Sequence, residues 1–373
     1  MRIVIAPDKF KGSISAAEAA AAMARGVLAV WPDAQIDLCP IADGGEGTVA
    51  ALVAATQGKF ITHRVTGPLA EMKVDANFGV LGDGKTTVIE MAAASGLALL
   101  RAEERNPLNT TTFGTGELLR IAAEMGLKKI ILGIGGSATC DAGIGAAQGA
   151  GLTVLMRDGS QVAMSEPLAA RDLDQVLMVK HARGSPVDGA EITVACDVTN
   201  PLYGPDGAAA VYGPQKGATA KEVRELDRLL RDWAERTGKT AEANIPGAGA
   251  AGGLGFGMLV YFGAKLRSGF EIVTEAVGLR ERLRGADWCI TGEGKLDAST
   301  LAGKGPAGVG RICRESGIPC IAIGGAVEKA NGLEELFSHV LAIREPGMAQ
   351  EESIRRAAEL IEEKCKRWAA SQA

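Results

Sequence analysis

The residues of this sequence that could do chemistry are carboxylates placed beside glycine or other small residues in four short loops. At least three of these loops directly follow an apolar segment, and open parallel sheets bind ligands at the carboxyl ends of their strands. Acids in such loops suit Mg²⁺, which takes oxygen ligands and keeps several waters. Any one loop taken alone is more often a helix cap or a structural ion pair, but four caps together are a weaker explanation. The loops are Asp-Gly-Gly-Glu at 43–46, Thr-Cys-Asp at 139–141, Asp-Val-Thr-Asn at 197–200 and Glu-Gly-Lys-Leu-Asp at 293–297.

A glycine-rich turn at 133–145 joins an apolar strand to a helix of small residues. In this arrangement several backbone N–H groups can point at one anion, and Asp141 could hold a metal ion or a proton. A tight turn that needs glycine for positive φ is the competing explanation, and the segment alone does not decide between them. The residues that would cradle a phosphate are Gly135, Gly136, Ser137 and Thr139.

Basic residues accompany these acids. The segment Lys-Phe-Lys-Gly-Ser at 9–13 precedes a helix and is a candidate site for a carboxylate or phosphate, with a surface lysine pair as the alternative. Phosphoryl transfer needs positioned cations, N–H groups, Mg²⁺ and a carboxylate that takes the alcohol proton. This set fits phosphoryl transfer better than hydride or acyl transfer, and no Gly-x-Ser-x-Gly nucleophile elbow is present. The candidate cations are Lys9, Lys11, Lys216, Lys295 and Lys304.

The elements that must position these loops alternate between strand and helix at both ends of the chain. Helical crossovers of this kind indicate parallel strands, and 373 residues favour two domains. Residues 72–80 and 86–91 alternate apolar and polar side chains, which predicts an antiparallel hairpin. We predict strands at 3–6, 36–38, 59–66, 288–291, 319–323 and 340–343, and helices at 16–30, 49–56, 305–316 and 351–368.

The predicted fold class is therefore α/β, with two α/β domains. Both chain ends, residues 1–68 and 286–373, form a parallel-sheet, Rossmann-like domain. Residues 69–285 form a second α/β domain inserted into it, and we expect the active site in the cleft between the two.

Two segments match nucleotide-binding motifs in sequence but lack the neighbouring helix or strand that each motif needs. Residues 79–86 fit the P-loop pattern, but a P-loop needs a following helix, and the residues after it alternate as a strand does. Residues 247–252 fit Gly-x-Gly-x-x-Gly, but no good strand precedes them. We interpret the first as a plain hairpin and the second as small residues that permit close packing.

Composition excludes several classes of protein. The apolar runs are shorter than the roughly 20 residues of a membrane span, and the first residues lack a signal-peptide core. The seven cysteines show no Cys-x-x-Cys spacing, which predicts reduced thiols and no zinc site. A net charge of −5 and 4% aromatic residues argue against a nucleic-acid surface. We expect a cytoplasmic protein.

Nine motifs, in order between residues 4 and about 310, together resemble the bacterial glycerate kinase family of the glycerate 2-kinase type. The resemblance implies phosphorylation of D-glycerate by ATP with Mg²⁺, most often to 2-phosphoglycerate. It also implies that one α/β domain is inserted into the other, one flavodoxin-like and the other restriction-endonuclease-like. We expect the inserted domain to be the flavodoxin-like or mixed one. The motifs lie at residues 6–13, 42–48, 90–96, 110–117, 133–139, 195–202, 213–218, 247–255 and 291–297.

Together with this resemblance, the residues suggest roles. Asp197 is our first choice for the general base, and Lys9 and Asp43 are the other catalytic candidates. Asp141, Glu293 and Asp297 are the candidate metal ligands. The candidate substrate and phosphate contacts are Ser13, Lys11, Glu46, Gly135, Gly136, Ser137, Thr139, Asn200, Lys216 and Lys304.

Three alternatives to this function stay open at this point. The enzyme could form 3-phosphoglycerate, or it could phosphorylate a related small hydroxy acid. From a different class, the chain could be a non-catalytic protein that binds hydroxy acids. Glycerate and ATP are the expected small-molecule partners, without nucleic acid or membrane, and assembly as a homo-oligomer is open.

Overall fold

The structure is a computed structural model that describes residues 1–42, 47–181, 184–301, 305–328 and 332–372, except for the side chain of Ser299. The described residues form two compact units. The first comprises those within Met1–Asp43, Ala50–Gln57 and Phe270–Ala373, and the second those within Gly44–Val49 and Gly58–Gly269. None of the described helices is long and apolar enough to cross a lipid bilayer.

The elements are numbered along the chain. The strands are β1 (Arg2–Ile5), β2 (Gln35–Leu38), β3 (Lys59–Thr66), β4 (Lys73–Val80), β5 (Thr86–Glu90), β6 (Lys129–Gly133), β7 (Thr153–Met156), β8 (Val176–Lys180), β9 (Glu191–Ala195), β10 (Lys265–Arg267), β11 (Trp288–Leu296), β12 (Cys320–Val327) and β13 (His339–Ala342). The helices are α1 (Ala16–Leu28), α2 (Thr48–Thr56), α3 (Ala92–Ser95), α4 (Phe113–Glu124), α5 (Ile144–Gly149), α6 (Ala208–Tyr212), α7 (Ala220–Arg236), α8 (Thr240–Ala243), α9 (Ala250–Phe262), α10 (Gly269–Ala276), α11 (Leu279–Leu283), α12 (Ala298–Leu301), α13 (Pro306–Glu315), α14 (Leu333–Leu336), α15 (Gln350–Arg355) and α16 (Ala357–Gln372).

The first unit is built on a parallel sheet whose strand order is β13-β12-β11-β1-β2. This is the doubly wound order of flavodoxin-like folds, and it confirms the parallel α/β sheet predicted for the chain ends. The flavodoxin-like order therefore belongs to the chain ends and not to the inserted domain, whose sheet is mixed as expected. Side chains alternate between the two faces of the strands. Ile3, Ile5 and Ile290 pack with α1 and α16 on one face. A capping box begins α1, because Ser15 and Glu18 satisfy each other's backbone N–H groups.

The second unit contains a mixed sheet of order β10-β9-β6-β5-β4-β3. The predicted hairpin is present as β4 and β5, which pair antiparallel, whereas β5, β6, β9 and β10 are parallel. We had grouped β3 with the first domain, but it pairs antiparallel with β4 in this sheet. The short turn at 67–72, closed by the Gly67 N–H donating to Met72 O at 2.8 Å, brings the chain straight back and favours antiparallel pairing.

Neither motif match has the strand and helix context of its nucleotide-binding motif. At the hairpin tip, the Asp83 carboxylate accepts the N–H groups of Lys85 and Thr86, so residues 79–86 turn between two strands instead of opening a helix. In α9, Ala251, Gly252 and Gly253 have positive φ and interrupt the helix. A Cβ on Gly252 would lie 1.9 Å from Thr139 O, so glycine is needed there for close backbone contact.

Candidate active site

The strand order of the first unit creates a switch point between β1 and β11. From β1 the chain crosses to β2 on one side, and from β11 it crosses to β12 on the other. The loops that follow the two strands therefore diverge, and open α/β sheets bind ligands in the crevice formed this way. The structure places a cavity of about 710 Å³ here, and five predicted site residues line it. They are Lys9, Lys11, Ser13, Glu293 and Asp297.

The loop after β1 is held against β11 by its backbone. The Asp8 N–H donates to Gly292 O at 2.8 Å, and the Phe10 N–H donates to Ile14 O at 3.0 Å. A Cβ on Gly294 would meet Lys11 N at 3.1 Å, so glycine lets β11 approach this loop closely. The Ser13 hydroxyl donates to Ile354 O at 2.6 Å and is engaged in holding the loop.

Charges of both signs alternate along the end of β11. The Lys295 Nζ lies 2.9 Å from carboxylate oxygens of both Asp297 and Glu328. Hydrogen bonds to Asp297 and then to Glu328 raise the pKa of Lys295, so it is a cation at neutral pH. Glu293 accepts the Thr300 hydroxyl at 2.8 Å. The cavity can therefore meet an anionic ligand with cations and a metal ion with carboxylates.

Two cavity residues were missed by the sequence reasoning. Asp8 is buried, with 7% of its surface exposed, and its Oδ1 accepts the Lys9 N–H at 2.6 Å. Arg344 lines the cavity from the end of β13. Asp8 follows the first strand directly, which is the signal used for the four acid loops, and applying it there would have found this residue.

The acid of the glycine loop in the second unit is buried among hydrogen-bond donors. Asp141 is fully buried, and its Oδ2 accepts both the N–H and the hydroxyl of Thr112 at 2.8 Å. The N–H groups of Gly143 and Gly145 also point at the carboxylate, at 3.2 and 3.4 Å. Burial raises the pKa of Asp141, whereas these hydrogen bonds lower it. Three of these donors bond Oδ2 and one bonds Oδ1, so the Asp141 carboxylate ties the loop to α4. Its role as a metal ligand stays a prediction.

The predicted phosphate contacts Ser137, Thr139 and Lys216 are buried together in the second unit. The Lys216 Nζ donates to Ser137 Oγ at 2.8 Å and to Thr139 O at 2.7 Å. Burial lowers the pKa of Lys216 to about 8. These side chains stabilise the loop from inside, and the exposed part of the turn is Gly135 and Gly136.

Asp197 lies at the carboxyl end of β9, partly exposed, where its Oδ1 accepts the Gly269 N–H at 3.1 Å. The side-chain amide of Asn200 donates to Asp206 O at 2.8 Å and accepts the Tyr212 hydroxyl at 2.6 Å, so it stabilises its own loop.

Three predicted site residues lie outside the described residues. They are Asp43, Glu46 and Lys304.

The cavity of the first unit fits Mg²⁺ in the manner common to phosphate-binding enzymes. Glu293 and Asp297 supply oxygen donors, and both are partly exposed, so an ion there could keep its waters. In the described part of the chain, no three carboxylates gather within 4.8 Å of one another. A complete protein cage is not needed, because Mg²⁺ is usually held by one or two carboxylates together with substrate phosphates.

A doubly wound sheet with a cation- and carboxylate-lined cavity at its switch point defines an α/β enzyme that handles small anionic ligands. The family model described as the glycerate kinase family matches residues 3–372. The glycerate kinase of Bacillus subtilis (strain 168) is 45% identical over 386 residues, covering 100% of this chain and 97% of its own. The glycerate 2-kinase of Escherichia coli (strain K12) is 45% identical, covering 92% and 91%.

A solved structure agrees with these sequence matches. The crystal structure of a protein from Salmonella typhimurium LT2 matches this fold with a TM-score of 0.89 at 40% identity, covering 100% of this chain and 98% of that one. The chain belongs to the glycerate kinase family. It is an enzyme, and the resemblance predicted from its motifs is confirmed.

Proposed function

We propose that the enzyme transfers the γ-phosphoryl group of ATP to D-glycerate, with Mg²⁺, and forms 2-phosphoglycerate. The observation that carries this proposal is the switch-point cavity, where Lys9, Lys11, Lys295 and Arg344 stand beside Glu293 and Asp297. Glycerate and ATP are both anions, and phosphoryl transfer is accelerated mainly by positioned cations and electrostatic stabilisation.

We assign the cations of the loop after β1 to the anionic groups of the substrates. Mg²⁺, held by Glu293 and Asp297, would neutralise charge on the phosphoryl oxygens when bound. Lys9→Met should raise the KM for glycerate, because a cation near its carboxylate is lost. Lys366→Met is the matched control, since Lys366 is exposed in the same unit and does not line the cavity. Equal KM values for the two variants would contradict the assignment of Lys9.

We assign the general base to Asp197, which would take the proton of the attacking hydroxyl. Asp197→Asn keeps an oxygen that can accept the Gly269 N–H, so the loop keeps its bond while the basic group is lost. General-base catalysis contributes about 10²- to 10⁴-fold, and kcat should fall within that range. Asp206→Asn removes an exposed carboxylate of the same loop and should leave kcat unchanged. Near-normal turnover of folded Asp197→Asn would eliminate this base.

A coupled assay of ADP release with ATP, Mg²⁺ and D-glycerate tests the overall reaction. We expect release that depends on all three, and no release with D-glycerate would refute the proposal. Parallel assays with L-glycerate and tartronate test the alternative that a related hydroxy acid is the better substrate. Phosphorus NMR of the product distinguishes 2-phosphoglycerate from 3-phosphoglycerate, which the family membership alone does not.

We also propose a cytoplasmic location, supported by the seven cysteines, all of which are free thiols as is usual in reducing compartments. Homo-oligomer formation stays a prediction, which light scattering of the purified protein would test.

A further inference from the structure

Three cysteines that are distant in sequence meet in the interior of the first unit. Cys289 and Cys320 are register partners on the adjacent parallel strands β11 and β12, so their side chains share one face of the sheet. Cys313 reaches them from α13. The three sulfur atoms lie within 4.8 Å of one another. None of the three residues lines the switch-point cavity, so we call them the thiol trio and treat them as a separate feature.

The geometry of the thiol trio fits a three-coordinate, sulfur-preferring centre. For bonds of about 2.3 Å, as between zinc and cysteine sulfur, three sulfurs bonded to one centre lie at most about 4 Å apart, and closer than that when the centre stands above their plane, as trivalent arsenic does. The three sulfurs already lie within 4.8 Å of one another, so side-chain rotation would draw them together on binding. A structural zinc ion takes four ligands, and among the described residues no fourth His, Cys, Asp or Glu belongs to this cluster.

The net charge of the complex decides which kind of ion the three cysteines could bind. All three residues are buried, with at most 2% of the surface exposed, and an uncompensated charge in such surroundings is costly. Three thiolates around a monovalent or divalent metal ion would leave a net negative charge in the core. Three thiolates around a trivalent centre form a neutral complex, which carries no such cost.

The pKa shifts of the three cysteines also indicate that negative charge is disfavoured at Cys289 and Cys320. Hydrogen bonding to the Cys313 sulfur, together with burial, raises the pKa of Cys289, and burial raises the pKa of Cys320. These two residues are therefore neutral thiols at physiological pH. The same two S–H groups favour the thiolate of Cys313, so its pKa is the lowest of the three.

We propose that the thiol trio is a binding site for a soft trivalent metalloid, arsenite in the first instance. In solution arsenite is As(OH)₃. Each cysteine sulfur forms one As–S bond and one hydroxide leaves arsenic for each bond. The protons of Cys289 and Cys320 leave with two of the hydroxides as water; the third hydroxide takes the Cys313 proton or, when Cys313 is already a thiolate, a proton from solvent, so three waters are released in total. Arsenic stays trivalent and no electrons are exchanged, so the step needs no oxidant or reductant. The product links β11, β12 and α13 within the unit.

The first test uses the wild-type chain incubated with arsenite alone. Native mass spectrometry should show one arsenic atom per chain, with a mass increment of one arsenic less three hydrogens. X-ray absorption at the arsenic edge should show three sulfur neighbours and no oxygen neighbour. Two sulfur neighbours, oxygen neighbours, or the absence of bound arsenic would each overturn the proposal, and none of these readouts depends on kinase activity.

The second test compares Cys313→Ala with Cys39→Ala, because both replace a buried cysteine of the first unit but only Cys313 belongs to the thiol trio. Loss of a partner that only supports a ligand costs about 10- to 100-fold in affinity, so loss of a direct ligand should weaken arsenite binding at least about 100-fold. Cys39→Ala should bind as the wild type does. Equal binding by Cys313→Ala, or loss of binding in Cys39→Ala, would assign arsenic to other thiols and overturn the proposal.

Discussion

Because of Lys216, the free energy of unfolding of the second unit should rise as the pH rises above neutral. Its ammonium group is buried between Ser137 and Thr139, and burial lowers its pKa from 10.5 to about 8. Between these two values the unfolded chain binds the proton that the folded protein has released, so stability rises with pH. Below pH 8 the folded protein carries the full cost of a buried charge. Above it, the neutral amine still has N–H groups for both acceptors.

The magnitude follows from the same two values. One pKa unit corresponds to about 1.4 kcal/mol, so Lys216 should contribute a gain of about 3 kcal/mol in the free energy of unfolding as pH rises from 7 to 10.5. Lys216→Met fills a similar volume and cannot titrate. The difference in stability between wild type and Lys216→Met should therefore grow in favour of the wild type over this range, while other titrating groups cancel in the difference.

Urea unfolding at several pH values, followed by tryptophan fluorescence, measures this difference. Trp233 is the one tryptophan of the second unit's sequence and is buried, so the transition that Trp233→Phe removes belongs to that unit. A stability difference that stays constant from pH 7 to 10.5 would mean that Lys216 keeps an ordinary pKa. A difference that shrinks with rising pH would mean that the charged form is stabilised, and either result would refute the reasoning.

Three further substitutions, one of them with a matched control, test the stability of each unit by urea unfolding. Asp141→Asn should destabilise the second unit by about 3 kcal/mol, because a buried carboxylate that accepts several bonds is lost; an unchanged midpoint would contradict this. Gly252→Ala should prevent folding of that unit, because its Cβ would lie 1.9 Å from Thr139 O, whereas Gly84→Ala has a similar φ but no atom within 4 Å and should cost only about 1 kcal/mol. Ser15→Ala should cost the first unit about 1 kcal/mol through loss of its helix cap, and no loss would show that the cap is not stabilising.

The elements of the fold were largely predictable because local patterns specify them. The β-branched strands, the Asp83-Gly84 turn and the Ser15 cap each depend on residues close together in sequence. The sheet to which β3 belongs was not predictable in this way, because an edge strand has the same alternation whichever sheet it joins. Its assignment follows from the tight turn into β4, which the hydrogen bond between Gly67 and Met72 closes.

The sequence predicted the candidate residues that line the cavity, but it did not predict which charged residues would be buried. Lys9 follows β1, and Glu293 lies near the end of β11. Because β1 and β11 meet at a switch point, the convergence of these residues is a consequence of topology. Lys216 and Asp141 have a similar local signature, a charge close to glycine or another small residue, but both are buried in the second unit. Whether a charge beside glycine faces a ligand or a neighbouring loop is decided by tertiary packing, which the local sequence does not encode. The thiol trio is likewise assembled only by the pairing of β11 with β12.

Replacing an exposed charged residue should affect substrate binding, whereas replacing a buried one should affect folding. Lys295 is half exposed and its ion pairs are accessible to solvent, so its replacement should change stability by less than about 1 kcal/mol and act on substrate binding instead. Lys216 and Asp141 are fully enclosed, and their replacement acts first on the folding of the second unit. Loss of activity in a Lys216 or Asp141 variant therefore assigns a catalytic role only if the same variant unfolds at the wild-type urea midpoint. For Lys9 and Lys295, activity can be interpreted directly.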